Sequence, residues 1–409
     1  PSSEDEMKVL HVATGFPFLY VGGITNYVRS LVISQRNAGH EVHVLSGGCS
    51  SENLEYVTNI YSKKIKPFSL KLSIEDEKYA KEVLNICREY DIVHFHMVLD
   101  FPSSLLSRLS KEIPKYVVSL HDYFLICPRI FMSDYKNNIC HEVNIDKCNV
   151  CCGYFDSIDI ARKISSKLSI PLPRIKTNEP ARRIENVKTF LEGASLLLPV
   201  SEKVKEIYSK LVPNASYKVL HIGNITATEL PLPKEENGKI IIGILGTLSY
   251  IKGSDIILKI IKQTTNKNIE FHFYGRADKK WLTRLEKYGL INKGTYVQEN
   301  LKEIISTINL GLVVPIWEDN APQVVMEFLN LKTPVLATSR GGIPDFIQHL
   351  VNGYLFDPDD QCSFQAFIAW INNLNRKTIV QLNAGVKKLK TPEQHEKEID
   401  RVYHVIKNI

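Results

Sequence analysis

The sequence predicts an α/β protein made of two doubly wound parallel sheets in tandem. Strand-sized runs of apolar, often β-branched residues alternate with amphipathic helical patterns along both halves of the chain. Such continuous runs are typical of strands that are buried on both faces, as in parallel sheets. The length of 409 residues fits two domains of ordinary size. No apolar run approaches the ~18 residues that a membrane-spanning helix needs.

The first half opens with one βαβ unit. The strand KVLHVAT (8–14) leads through the loop GFPFLYVGG (15–23) into an amphipathic helix that stops at 38–40, and the strand EVHVLS (41–46) follows. Further strands are predicted at 91–96, 116–122, 195–201 and 217–223, with helices at 76–90, 101–112 and 202–212. We expect this first domain to span residues 7–225.

The second half repeats the alternation after a turn-rich segment. Two prolines and a charged cluster in NITATELPLPKEENGK (224–239) predict an interdomain linker, and the second domain is expected at 238–390. Strands are predicted at 239–247, 269–275, 294–299, 310–316, 333–339 and 352–358, and helices at 254–263, 279–289, 301–308, 321–331 and 343–350. Because open α/β sheets bind ligands beyond the carboxyl ends of their strands, the cleft between two such domains is the expected active site.

Composition excludes several classes of protein. The 51 Lys and Arg residues against 45 Asp and Glu give a net charge of +6, too small for a chain that binds nucleic acid over its whole surface. The residues PSSEDE before Met7 lack the features of a secretory signal, so Met7 is the expected native start. Five of the eight cysteines lie between Cys127 and Cys152, unlike a secreted disulfide framework. The expected compartment is therefore the reducing cytoplasm.

The strongest functional signal is the segment WEDNAPQVVMEF (317–328). Asp319 and Glu327 lie eight positions apart, and Pro322 suits the first turn of a helix that Asn320 would cap. The free N–H groups at the start of such a helix can receive phosphate oxygens. Glu327, as a hydrogen-bond acceptor, suits the two hydroxyls of a ribose. From the spacing alone, a solvated acidic pair at the start of an amphipathic helix is the alternative.

Together with KTPVLATSRGGIPDFI (332–347), this segment resembles the signature of the retaining nucleotide-sugar glycosyltransferases of family 4, which have the GT-B fold. The matching residues are Pro334, Val335, Ala337, Thr338, Gly341, Gly342, Ile343, Pro344, Asp345 and Gly353. The sequence departs from the signature at Asp319, where Glu is commoner, and at Lys332-Thr333. The resemblance implies two Rossmann-like domains that face a cleft, with a C-terminal helix at 393–409 that packs back on the first domain.

Three further segments resemble parts of the same family. Gly22-Gly23 resembles the glycine loop that approaches the diphosphate and the acceptor, and His121 falls where the donor-site histidine is expected, although a histidine at a strand end is often only structural. GTLSYIKG (246–253) resembles G-R-L-x-x-x-K-G, with Lys252 as the cation that neutralises the departing diphosphate. The resemblance implies the catalytic residues His121, Asp319 and Lys252 and the donor-binding residues Gly22, Gly23, Thr247, Asn320 and Glu327.

Thr247 stands where the family has arginine. Arg276 and Arg340 are the two candidates for the missing positive charge. His94 and His96, in the strand DIVHFH (91–96), are weaker candidates for the site, and both can lie on one face of the sheet.

The cysteine cluster is a separate signal. Cys127, Cys140, Cys148 and Cys151 include one C-x-x-C pair and two further thiols, in polar, loop-like surroundings. Four thiols suit the tetrahedral coordination of a structural zinc ion, and the segment resembles an insertion in a subset of bacterial sugar transferases of this family. The alternatives are buried cysteines in small apolar sites, a disulfide or an iron–sulfur cluster.

A basic segment follows the cysteines. Residues 161–187 carry seven basic and two acidic side chains, a net charge of +5. If the acceptor is linked to a lipid, this segment would bind an anionic membrane surface and place the enzyme peripherally at the inner face of the membrane. The alternative is a solvated loop whose charges serve only solubility.

These features predict a cytoplasmic retaining glycosyltransferase. It would move a sugar from a nucleotide-diphosphate sugar to a glycan or lipid-linked acceptor, in the synthesis of a bacterial surface polysaccharide such as O-antigen or capsule. No catalytic divalent metal is expected, because cationic side chains and helix amides can hold the diphosphate. A zinc-stabilised nucleic-acid or protein-binding module would explain only the cysteine insertion, and no nucleic-acid partner is expected. A nicotinamide oxidoreductase would need G-x-G-x-x-G, which neither glycine loop contains.

Overall fold

The computed structural model of the chain contains two compact units, which we describe one at a time. The first comprises Pro1–His221 with Glu393–Ile409, and the second comprises Ile222–Pro392. The structure describes residues 6–14, 23–47, 54–60, 70–73, 75–99, 101–152, 168, 178–234 and 238–409. Each unit contains a six-stranded sheet with parallel pairing throughout the described ladders. The predicted pair of doubly wound parallel sheets is therefore confirmed.

The first unit has strand order β3-β2-β1-β4-β5-β6. Its strands are β1 (Lys8–Ala13), β2 (Glu41–Gly47), β3 (Val57–Ile60), β4 (Ile92–Met97), β5 (Tyr116–Leu120) and β6 (Leu196–Pro199). Its helices are α1 (Gly23–Asn37), α2 (Glu77–Cys87), α3 (Ser103–Glu112), α4 (Ile145–Cys152), α5 (Glu179–Glu192) and α6 (Glu202–Leu211), joined at the end of the chain by α13 (Pro392–Lys407).

The core of the first unit explains why its central strands have no polar alternation. Every residue of β5 is buried, as are the first five of β4, because helices cover both faces of the sheet. The apolar stripe of α13, which includes Ile399, Val402 and Tyr403, packs into the same cluster as Val9 of β1. The last helix of the chain therefore completes the core that the first strand begins.

The second unit has strand order β12-β11-β10-β7-β8-β9. Its strands are β7 (Ile240–Leu248), β8 (Ile269–Ala277), β9 (Leu290–Asn292), β10 (Leu310–Val313), β11 (Val335–Thr338) and β12 (Gly353–Phe356). Its helices are α7 (Ser254–Gln263), α8 (Lys279–Glu286), α9 (Leu301–Ser306), α10 (Gln323–Asn330), α11 (Gln361–Asn372) and α12 (Arg376–Gly385). The sequence patterns did not predict α11 or α12.

Helix α10 lies unusually close to its sheet. A Cβ atom on Gly311 of β10 would stand 2.4 Å from the ring of Phe328 in α10, so only glycine permits this packing. Val325 and Leu329 of the same helix are buried in one core cluster with Phe328. This contact fixes the position of Glu327, which lies on the turn between these apolar residues.

Three predicted elements differ in the structure. The strand expected at 217–223 makes one bridge with β6, which ends at Pro199, a residue with no N–H to donate. The strand expected at 294–299 is replaced by β9, because the backbone leaves the strand conformation at Gly294 (φ +87°). The helix expected at 343–350 is only a short 3₁₀ turn, Ile343–Asp345. There the Asn352 side chain accepts from the Gln348 N–H and donates to a carbonyl, which replaces helical hydrogen bonds.

The boundary between the units falls at His221/Ile222, shortly before the expected domain end at 225 and the expected linker at 224–239. Residues Ile225–Thr228 form a 3₁₀ turn that belongs to the second unit. Asn224 donates to Gln323 at 2.7 Å, and Asn330 donates to Thr226 at 3.0 Å. These hydrogen bonds hold the start of the expected linker against α10.

Candidate active site

In the second unit, Lys252 and Asp319 are brought together. The Lys252 Nζ donates to Asp319 Oδ2 at 2.9 Å, and it lies 5.2 Å from the centre of the Trp317 ring. Lys252 stands on the loop between β7 and α7, next to Gly253. Gly253 has φ +90°, and a Cβ atom there would stand 1.8 Å from the Val314 carbonyl oxygen. The glycine therefore lets the lysine loop approach the acidic loop that follows β10.

A tight turn holds the acidic loop from the other side. The Asp319 carbonyl accepts from the Gly342 N–H at 2.7 Å, and a Cβ atom on Gly341 (φ +54°) would stand 1.9 Å from the same oxygen. The Gly341 N–H also donates to Glu318 Oε2 at 2.5 Å. The first glycine of the G-G-I-P motif, Gly341, is thus required by the backbone that positions Asp319.

Glu318 is a residue that the sequence reasoning missed. It is buried, and its carboxylate lies 3.7 Å from the guanidinium of Arg340. Arg340 also pairs with Asp357 and Asp359. Three carboxylates therefore surround this arginine, which braces the acidic loop and is a poor candidate for the charge missing at Thr247.

Arg276 is better placed to supply that charge. It is exposed and is the register partner of Thr247, where β7 and β8 run side by side. Both residues lie in the last part of their strands, the end at which parallel α/β sheets bind ligands. Thr247 is itself exposed, so the position that carries arginine in the family is open in this chain.

Glu327 of α10 lies in an environment that disfavours its negative charge. Burial raises the pKa of Glu327 to about 7, although a hydrogen bond from the Gln298 side chain lowers it in part. Burial also raises the pKa of Tyr296 to about 12, with a smaller contribution from the negative charge of Glu327. The carboxyl group of Glu327 is therefore close to a tyrosine and is only partly ionised at neutral pH.

Asn320 does not cap α10, contrary to the sequence prediction. The helix begins at Gln323, and Pro322 occupies the capping position without a side-chain hydrogen bond. The proline side chain has no hydrogen-bond acceptor. Asn320 lies too far before Gln323 to accept a hydrogen bond from the first N–H groups of the helix. Asn320 is instead buried in the acidic loop.

In the first unit, His121 directly follows β5 and is buried. Its Nε2 lies 3.1 Å from Nδ1 of His96, and the edge of Tyr27 packs on its ring at 4.9 Å between centroids. Burial lowers the pKa of His121 to about 3. The histidine is therefore neutral and its ring is fixed by its neighbours.

Gly23 begins α1 and is exposed, and no atom of the described residues lies within 4 Å of a Cβ atom built on it. The described part of the fold therefore does not require glycine there. Gly22 lies outside the described residues.

The cysteines line one cavity of about 700 Å³. Cys127, Cys140, Cys148 and Cys151 all border it, and burial raises the pKa of Cys140 to about 11. Helix α4 carries Cys148 and Cys151 in a segment expected to be a loop. Among the described residues, the group of side chains whose metal-ligating atoms all lie within 4.8 Å of one another consists of three histidines, His11, His94 and His96. The four cysteines do not form such a group. The four thiols are thus neighbours that are not drawn into a tetrahedron.

The prediction that segment 161–187 forms a basic surface is wrong at Arg183. It is 1% exposed, and its guanidinium donates to the carbonyls of Phe124, Leu125 and Lys71. Its charge therefore serves the interior of the first unit and is not available to a membrane. Most of segment 161–187 lies outside the described residues.

No helix in the described part of the chain is both long and apolar enough to span a bilayer.

Comparison with known proteins places these sites in a family. Residues 21–146 match the family described as Glycosyltransferase Family 4, and residues 239–373 match the one described as Glycosyl transferases group 1. An uncharacterized glycosyltransferase of Methanocaldococcus jannaschii is 22% identical over 380 residues, which is 89% of this chain and 87% of that protein.

Solved structures agree with the fold. HepE of Anabaena, in complex with UDP and glucose, has a TM-score of 0.61 at 13% identity, and the match covers 97% of this chain and 99% of that one. The lipopolysaccharide outer core galactosyltransferase WaaB has a TM-score of 0.57 at 12% identity over 98% and 97% of the two chains. With two six-stranded parallel sheets and two matching family domains, the chain belongs to the GT-B glycosyltransferases of the family 4 type.

Proposed function

We propose that the protein transfers a sugar, with retention of anomeric configuration, from a nucleotide-diphosphate sugar to an acceptor hydroxyl. The observation that carries this proposal is the Lys252–Asp319 pair at 2.9 Å, held between two glycine turns. A cation and a carboxylate that stand side by side suit a donor with a negative diphosphate next to a polyhydroxyl sugar. The complexes of HepE with UDP and glucose support a nucleotide donor of this kind.

Each residue of the second unit then has a distinct role. Lys252 exchanges its bond to Asp319 for the diphosphate and neutralises the charge that develops on it. Asp319 accepts hydrogen bonds from the sugar hydroxyls, and Glu327 accepts them from the ribose diol. Arg276 supplies the second positive charge beside Thr247. The Asp319 side chain is 14% exposed and that of Lys252 is 43% exposed, so the carboxylate is the more buried of the two partners.

The reaction itself needs no covalent nucleophile from the protein. The bond between the anomeric carbon and the diphosphate oxygen breaks, the acceptor oxygen bonds to the same face of that carbon, and the acceptor proton passes to the departing diphosphate. The protein contributes position and electrostatic stabilisation. Because Lys252 and Arg276 provide cationic charge, we expect transfer to continue in the presence of a chelator.

The acceptor is proposed to be a growing surface glycan on a lipid carrier. This part rests on the similarity to WaaB, a galactosyltransferase of the lipopolysaccharide outer core. It would bring the enzyme to the inner face of the membrane by peripheral contact, with Arg183 excluded from that contact by its burial.

A structural zinc ion at the cysteines is a second proposal. The four thiols border one cavity. Burial, with smaller contributions from neighbouring thiols, raises the pKa of Cys140, Cys148 and Cys151, and a bound cation would reverse this effect. A closed four-thiolate site would leave no position for a catalytic water. We expect about one zinc per chain by elemental analysis, lost in Cys148→Ser and kept in the exposed control Cys362→Ser. A metal-free protein, or absorbance typical of an iron–sulfur cluster, would contradict this.

The transferase proposal is tested with a panel of nucleotide sugars and thermal unfolding. A ligand at 100 times its dissociation constant stabilises the folded state by ~2.7 kcal/mol, so the true donor will raise the melting temperature. Lys252→Met should lose most of that shift. Lys259→Met, which removes an exposed lysine that pairs with Asp255 on α7, should keep that shift. Equal shifts in both variants would refute the assignment of Lys252.

A further inference from the structure

A basic surface covers one side of the second unit, on α8 and the segment that follows it. Residues 278–293 carry five basic and two acidic side chains, a net charge of +3. The rest of the chain carries the other three of its six surplus positive charges. The members of this surface, which we call the α8 basic surface, are all exposed: Lys279, Lys280, Arg284, Lys287 and Lys293. One short segment thus holds as much net positive charge as the remainder of the chain.

The geometry of α8 gathers four of these cations on one face. Because successive residues of an α-helix are turned by about 100°, the four cations from Lys279 to Lys287 fall within an arc of about 140°. Lys287 belongs to this arc because, as the C-terminal cap, it keeps helical backbone angles (φ −56°, ψ −28°). The other side of the helix carries Leu285, which is buried in the core of the unit. The helix therefore packs through its apolar side and presents its cations to solvent.

The α8 basic surface is not neutralised by the part of the chain that the structure describes. None of its five cations forms an ion pair with a described carboxylate, whereas Lys259 on the neighbouring α7 pairs with Asp255 at 2.8 Å. Asp278 caps α8 and accepts from the Lys280 N–H at 2.8 Å. Cations without a carboxylate partner keep their full attraction for an external anionic surface.

Aromatic and apolar side chains border the same surface. The guanidinium carbon of Arg284 lies 5.7 Å from the centre of the Trp281 ring. Lys262 of α7 lies with its Nζ 4.3 Å from the centre of the Tyr288 ring, which is 43% exposed. Ile291 of β9, the edge strand of the sheet, is also exposed. Tyrosine and tryptophan rings are favoured between lipid head groups and acyl chains, where basic residues meet the anionic head groups. This combination suits a bilayer better than it suits a small soluble anion.

We propose that the α8 basic surface binds the anionic head groups of a lipid bilayer, with Tyr288 at the level of the head groups. The proposal places a membrane contact on the second unit, which goes beyond the proposed function. Helix α8 begins three residues after Arg276, so the contact lies beside the carboxyl end of β8, where the donor site is proposed. The purpose of the contact rests on the proposed lipid-linked acceptor, whereas the binding itself does not.

Flotation of the full chain with vesicles tests the proposal. Vesicles of phosphatidylglycerol and phosphatidylethanolamine should carry the wild type at low salt, and vesicles of phosphatidylcholine should not. Lys280→Gln with Arg284→Gln should lower the partition coefficient about tenfold or more, and added salt should lower it in the wild type. The matched control is Lys377→Gln with Lys387→Gln, which removes two exposed lysines elsewhere in the second unit and should float as the wild type does. Equal flotation of the two double variants would overturn the proposal.

Two further variants make this test independent of one pair of side chains. Lys279→Gln with Lys287→Gln should reproduce the loss of flotation. Tyr288→Ser should weaken flotation at every salt concentration, because salt does not screen the apolar contact of a ring. All of these variants should unfold in urea at the wild-type midpoint, since the replaced side chains are exposed. Wild-type flotation of both variants would contradict the assignment of this surface.

Other partners of the α8 basic surface would give different results. With a soluble polyanion as the partner, the wild type would bind heparin through Lys280 and Arg284 and would float with neither kind of vesicle. With a second copy of the chain at the β9 edge, the protein would form a dimer that Ile291→Ser dissociates and that does not float. Either result would overturn the membrane assignment.

The measurements separate the failure of this inference from that of the proposed function. Flotation needs no nucleotide sugar, so salt-sensitive flotation of a protein that transfers no sugar would refute the transferase proposal alone. Transfer to a soluble acceptor should be unchanged in Lys280→Gln with Arg284→Gln, and transfer to a vesicle-borne acceptor should fall. If this variant floats normally while Arg174→Ser with Lys176→Ser does not, the membrane contact is confined to the first unit and the inference is wrong.

Discussion

The ionisation of Glu327 gives a quantitative prediction for donor binding. Burial raises the pKa of this carboxyl to about 7, and only the ionised form can accept from both ribose hydroxyls. About one-tenth of the groups are ionised at pH 6 and about nine-tenths at pH 8. The dissociation constant for a nucleoside diphosphate should therefore fall about tenfold over this range, with release of a proton on binding near pH 7.

The stability of the ligand-free protein should change in the opposite direction. Because the pKa of Glu327 is higher in the folded state than in the unfolded chain, the folded state binds more protons between about pH 4.5 and pH 7. Its free energy of unfolding therefore loses stabilisation as pH rises through that window. Donor binding reverses this trend, because the ribose hydroxyls stabilise the charge that burial disfavours.

Isothermal titration calorimetry measures both effects. Binding of nucleoside diphosphates is recorded at pH 6, 7 and 8 in buffers of different ionisation enthalpy. The terminal phosphate of the nucleotide also titrates near pH ~6, so the test is the difference between the wild type and Glu327→Gln. The variant should bind more weakly at pH 8 and lose most of the pH dependence, whereas Glu303→Gln on the exposed face of α9 should match the wild type. The same pH dependence of binding in the wild type and in Glu327→Gln would refute the reasoning.

Three further predictions concern charged residues. Arg276→Gln should lower kcat/KM for the donor about tenfold, and Thr247→Arg in the same chain should restore it, because either position can face the diphosphate; no rescue would disprove the compensation. Arg183→Met should lower the free energy of unfolding in urea by about 3 kcal/mol or more, since it leaves three carbonyls unpaired in the interior, with Arg183→Lys intermediate; a neutral effect would contradict this. Arg174→Ser with Lys176→Ser should weaken salt-reversible flotation with anionic vesicles, and equal flotation with neutral vesicles would exclude the membrane contact.

Local patterns predicted the sheets well, because continuous β-branched runs reflect burial on both faces. They failed where a distant group decides the conformation. The helix expected at 343–350 is interrupted by the side chain of Asn352, and the strand expected at 217–223 is limited by the end of a neighbouring strand at Pro199. Neither partner can be identified from the local sequence.

At the candidate site too, residues in local motifs were predicted, and residues that depend on distant contacts were not. The structure places Lys252 beside Asp319 and His121 at the end of β5, which motif spacing and resemblance had singled out together. Glu318 was missed, because it acts through a contact with Arg340, a residue remote in the chain. Arg183 was misjudged, because a count of charges along a segment does not reveal that one of them is buried.

The stereochemistry of the first sugar released tests the central claim most directly. In the absence of an acceptor, water can replace the acceptor hydroxyl, and proton NMR follows the anomeric signal of the freed sugar before it equilibrates. From an α-linked nucleotide sugar that stabilises the protein, we predict that the α-anomer appears first, and that Asp319→Asn releases it much more slowly. Initial release of the β-anomer, or equal rates in the two proteins, would contradict retaining transfer at the Lys252–Asp319 site.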